Sequence, residues 1–101
     1  MNELNQLTSN LVMILMVSAI DRSIGVDGAS LSCSISKAGG PFVGISPTIV
    51  GRGNGWYSIL LTSADTSVAG TLVLHVEASG CDPSDLVFTV LPRKSAAQLL
   101  A

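Results

Sequence analysis

From Ala29 to Lys37 the chain reads ASLSCSISK, with Leu31, Cys33 and Ile35 alternating against Ser30, Ser32, Ser34 and Ser36. Successive side chains on a β-strand point to opposite faces, whereas a helix repeats every 3.6 residues, so a strict period of two describes a half-buried strand. TLVLHVEAS, from Thr71 to Ser79, obeys the same rule: Leu72, Leu74, Val76 and Ala78 lie on one side, Thr71, Val73, His75 and Glu77 on the other. Strands with one apolar face must bury it against a second layer, which places the chain among the all-β architectures.

The rest of the sequence follows suit, with short apolar runs separated by Gly, Pro, Asn and Asp. LVMILMVSAI (Leu11 to Ile20) is continuously apolar and predicts a strand covered on both faces. GGPF (Gly39 to Phe42) predicts a turn, and FVGISPTIV a short irregular extended piece. Asn54-Gly55 between extended segments signals a hairpin, because both residues tolerate the positive φ of a type I′ turn. WYSILLT continues as a strand, and in TSADTSVAG the side chains of Thr62, Ser63 and Asp65 can accept backbone N–H groups in one helical turn, with Gly70 closing it. In GCDPSD, Asp82 opens an Asx turn and Pro83 fixes φ, before the closing strand LVFTVL. The expectation is a small antiparallel β-sandwich of about six or seven strands, Ig-like, with inner faces roughly 10 Å apart. It would span residues 11–92, between a flexible polar arm (1–10) and a C-terminal tail (93–101) rich in helix formers.

Apolar residues make up 48% of the 101 residues and charged ones 12%, about half the charged share of an ordinary soluble domain. Little charge is left to solubilise a lone monomer. The net charge of −2, with five Lys plus Arg spread singly, offers no basic patch, so nucleic acid is not an expected partner. LVMILMVSAI is about half the ~20 residues that a membrane-crossing helix needs. The preceding MNELNQLTSN carries Glu3 and no Lys or Arg, unlike the basic start of a secretory signal, so no membrane association is expected.

Reactive groups are few. His75 is the sole histidine and has no nucleophile motif beside it. Asp65, Asp82 and Asp85 lack the dense oxygen spacing of a calcium loop. Gly53 and Gly55 flank Asn54 ahead of a strand, where a phosphate cradle requires a helix. Cys33 points inward as a small core hydrophobe and Cys81 sits in a turn; sequence leaves open whether they are bridged. Trp56 and Tyr57 are adjacent on a strand, so one faces in and the other out; Trp56 is assigned to the core, and an exchange of the two is the alternative. No catalytic, cofactor or metal site is expected.

SISKAGGPF followed by GRGNGWYSILLTSADTSVAGTLVLHVEASGCDPSDLVFTV resembles a module of tailed phages and prophages. In it a T-I-S-K-x-G-G-like strand leads to a G-x-G-W-Y strand, an L-T-x-x-D-T loop, an L-x-L-H-x-x-A-x-G strand and a D-P turn. The resemblance covers Ile35 to Val90 closely and MVSAIDRSIGVDGASL less so. It implies an Ig-like or transthyretin-like β-sandwich of a virion, made in the host cytoplasm. The expected role is a capsid decoration, or cement, protein bound to the major capsid protein; the alternative is a tail, baseplate or head-fibre component, with a host glycan as its candidate ligand. A small secreted enzyme or adhesion module ranks last.

Self-association as a trimer or other ring is expected on the same reasoning, since cement proteins bridge capsid subunits at threefold and quasi-threefold positions. The first strand is the expected intermolecular contact, because Val12, Ile14 and Met16 fall on one face and Leu11, Met13, Leu15 and Val17 on the other, and a small sandwich covers only one.

Overall fold

The computed structural model describes residues 3–92. They form eight strands: β1 (Glu3–Asn5), β2 (Asn10–Leu15), β3 (Ser32–Lys37), β4 (Val43–Ile45), β5 (Thr48–Gly53), β6 (Trp56–Leu61), β7 (Gly70–Glu77) and β8 (Ser84–Leu91). Two sheets result, a five-stranded one in the order β1-β8-β7-β3-β4 and a three-stranded one in the order β2-β6-β5. The expected all-β sandwich is what the chain forms, with one strand more than anticipated. Among the described residues no helix is long and apolar enough to cross a membrane.

The alternating segments bury the faces their sequences predict. Leu72, Leu74 and Val76 of β7 and Cys33 and Ile35 of β3 meet Val12 and Ile14 of β2 and Tyr57, Ile59 and Leu61 of β6 in one core between the sheets. At the hairpin Asn54 and Gly55 take φ of 55° and 84°, the paired positive values of a type I′ turn. This tip packs against the chain after β2: Met16 donates its N–H to the Gly55 carbonyl (2.8 Å), and a Cβ on Gly25 would stand 2.2 Å from the Asn54 carbonyl oxygen.

Several expectations change. The N-terminal stretch is not wholly an arm, since Glu3–Asn5 forms β1 and pairs in parallel with β8, so the sheets are not purely antiparallel. Leu4, flanked by polar residues, is buried there, and the buried Thr66 hydroxyl donates to the Thr8 carbonyl (2.9 Å) and accepts the Thr8 N–H (3.2 Å). The run Leu11 to Ile20 is not one strand covered on both faces: β2 ends at Leu15, and Val17 and Ser18 make isolated bridges to Gly25 and Cys81. The turn expected at Gly39–Phe42 is centred earlier, with Ala38 and Gly39 at positive φ and Gly40 N–H donating to the Lys37 carbonyl (2.9 Å). Trp56 is not a core residue; it is 42% exposed, while Tyr57 is 3% exposed. The expected tail, 93–101, lies outside the described residues.

Candidate functional site

Strand parity sends the side chains of β2 alternately into and out of the sandwich. Val12 and Ile14, with Met16 just beyond the strand, are buried, whereas Leu11, Met13 and Leu15 are exposed. The six residues expected at an intermolecular contact therefore divide, three in the core and three outward. In the antiparallel register Leu11 lies opposite Leu60, Met13 opposite Ser58 and Leu15 opposite Trp56, and cross-strand partners point to the same face. Val50 of β5, opposite Ser58, continues that face and is exposed. The outer surface of the three-stranded sheet is thus apolar from strand to strand.

Among the described residues one cation lies across it. The β5–β6 register slips between Gly51 and Gly53, leaving Arg52 as the extra residue; such bulges re-aim side chains. The Arg52 Nε donates to Ser58 Oγ (3.1 Å), and Ser58, outward by register, is 1% exposed beneath it. Met13, Arg52, Gly53, Asn54 and Trp56 line a shallow depression at this end of the sheet.

The outer surface of the five-stranded sheet has the opposite charge. His75 on β7 lies opposite Asp85 on β8 and Ser34 on β3. Its Nδ1 contacts the Asp85 carboxylate, and its Nε2 lies 3.2 Å from the Glu77 carboxylate. The hydrogen bond to Asp85, and after it that to Glu77, raise the imidazole pKa above its usual 6.5. The Phe42 ring meets the imidazole edge-on at 6.0 Å between centroids. Phe42, Val73, Val87, His75, Asp85 and Ser34 line an open concavity of about 540 Å³. The imidazole is held between two acceptors, with no nucleophile among the described residues bonded to it, an arrangement suited to fixing surface charge.

The remaining singled-out residues have structural partners. Asp65 accepts the Thr62 N–H (2.8 Å) and hydroxyl (3.1 Å), closing the turn after β6, and Gly70 opens β7 at a φ of 121°. Asp82 pairs with Arg22 instead of opening the expected Asx turn, and Pro83 leads into β8. Asp65, Asp82 and Asp85 are thus each engaged separately, and among the described residues no group of three or more His, Cys, Asp or Glu is placed so that it could hold a metal ion. Cys33 and Cys81 are buried free thiols, and burial pushes the Cys33 thiol pKa up.

The sequence reading missed Arg52 and the acidic pair around His75. Glu77 and His75 share a parity in TLVLHVEAS, which is a usable signal; Asp85 and Phe42 reach the same place through pairing that only the fold supplies. No protein-family model matches the chain, and no curated protein matches it.

Proposed function

We propose that this protein is a structural component of a tailed-phage virion, a decoration module that binds the capsid shell and stabilises it through the major capsid protein. The observation that carries the reading is the uncovered apolar surface formed by Leu11, Met13, Leu15, Val50 and Trp56. Contiguous apolar area of this kind on a small domain marks a contact surface, and in a free monomer it is a liability. The sequence resemblance to virion sandwich modules supports the same reading. The described chemistry offers surfaces for contact and no nucleophile held by a base.

Purified particles of the phage encoding the protein test it. Cryo-electron microscopy should show the domain on the capsid surface, in copy number comparable with the capsid subunit by quantitative gel densitometry. Density restricted to the tail or baseplate, in small multiples, would replace the reading with the tail alternative. Absence from the particle would end both.

A further inference from the structure

We infer that copies of this protein associate head to tail, the apolar Arg52-bearing face of one seated on the Phe42–His75 concavity of the next. The occupant is identified by charge. The outer face of the three-stranded sheet is built from Leu11, Met13, Leu15, Trp56 and Val50, and among the described residues the charged side chain laid across it is Arg52. The outer face of the five-stranded sheet offers exposed Phe42 and Val87 in one concavity with the Asp85 carboxylate, and Glu77 adds a second carboxylate at the other imidazole nitrogen. Each face is a poor partner for itself. Two copies of the first would bring guanidinium groups together with no acid among the described residues of that face to receive them, and two copies of the second would oppose carboxylates. Like-charge juxtaposition costs affinity, whereas opposite charges set amid apolar surface give both register and specificity.

The local geometry fits. Arg52 uses its Nε on Ser58, leaving the two terminal nitrogens of the guanidinium without a hydrogen-bond partner among the described residues. Phe42 with the Asp85 carboxylate in the same concavity is a receptor for such a group, by cation–π attraction and by charge-assisted hydrogen bonds. His75 does not abolish the receptor's charge: with the imidazole protonated the trio of His75, Asp85 and Glu77 still carries one net negative charge, and with it neutral, two.

A contact between different surfaces is heterologous, and it closes a ring only if the rotation between the surfaces allows. These two lie on opposite sides of the sandwich. Copies therefore stack in an open column, with a repeat of about 20 Å set by one intra-sandwich and one inter-sandwich sheet spacing. Such a column does not close as the trimer expected from sequence. Its first copy retains one open face for the capsid, and the inference rests on the proposed role for that reason alone.

The test uses the purified full chain in solution, so it fails or succeeds independently of whether the protein is found on particles. Sedimentation velocity across a concentration series should show mass rising without a plateau at two or three copies. Arg52→Glu and Asp85→Arg should each weaken association roughly tenfold or more, and the double variant Arg52→Glu/Asp85→Arg should recover most of the loss. Circular dichroism and thermal melting of each variant confirm that it is folded. A monomer at every concentration, a fixed dimer or trimer, or a double variant no better than the singles overturns the inference.

Discussion

Two adjacent aromatic residues, changed to the same third residue, test how β6 sits in the sandwich. Tyr57 is buried, and its hydroxyl donates to the Val26 carbonyl (2.6 Å) and accepts the Ala29 N–H (3.0 Å), tying the segment before β3 to the sheet. Tyr57→Phe keeps the ring and removes both bonds. A hydrogen bond contributes about 0.5–1.5 kcal/mol net, and a half-buried donor left without an acceptor costs more, so about 2 kcal/mol is expected. In a domain this small that lowers Tm by roughly 10 °C. Trp56→Phe removes part of a ring on an open face and should stay within about 0.5 kcal/mol. Urea unfolding followed by circular dichroism measures both, with the m-value unchanged if the native fold persists. Were Trp56 the core ring, Trp56→Phe would leave a cavity and be the costlier change. That reversal, or a Tyr57→Phe variant as stable as the parent, would refute the assignment.

Replacing Ile14 and Met16 together with Ser should unfold the protein, since each is essentially inaccessible and large-to-small core changes cost about 2–5 kcal/mol apiece against a total of about 5–15. The same exchange at exposed Met13 and Leu15 should leave the melting curve near that of the parent while weakening self-association and particle binding; unfolding by both pairs would show β2 to be wholly internal. Gly25→Ala should destabilise by ~2 kcal/mol or more in denaturant titration, because its Cβ would overlap the Asn54 carbonyl, which is backbone and cannot turn aside. Proton NMR of the single imidazole should give a His75 pKa above 6.5, falling in Asp85→Asn. A folded-state pKa raised above the unfolded value stabilises fully below that unfolded value, so this contribution should fade as pH rises through the His75 midpoint.

What sequence conveyed well was parity within a strand. The serine-backed pattern of β3 and the Leu72, Leu74, Val76 stripe of β7 were legible because each carries its own polar face as an internal reference. WYSILL has no such reference, since apolar or aromatic residues occupy both parities, and the decision between Trp56 and Tyr57 is made by the backbone partners that the tyrosine hydroxyl finds at Val26 and Ala29. β1 was illegible for another reason. Three residues with one leucine carry no periodicity, and the strand exists through parallel pairing with β8 nearly the whole chain away. Arg52 was hidden by the bulge, which breaks the parity on which any facial assignment of β5 depends.

The contrast between β3 and β2 bears on why the outer face of the smaller sheet is apolar. Both strands send alternate residues into the same core. On β3 the positions of outward parity are Ser32, Ser34 and Ser36, polar throughout and with Ser36 covered and bonded to the Gly40 carbonyl, whereas on β2 they are the exposed Leu11, Met13 and Leu15. A chain poor in charge could have used the serine solution on both sheets, so low charge does not by itself account for leucines facing water. Nor does the core require them, because parity keeps them out of it. What an outward apolar row does accomplish is to make the uncovered state costly, in proportion to the area a partner would remove from water. The bulge then sets the Arg52 cation over that row, which by itself attracts no second copy of the row but does attract an acidic surface. The apolar area supplies attraction without choosing a partner, and Arg52 supplies the choice.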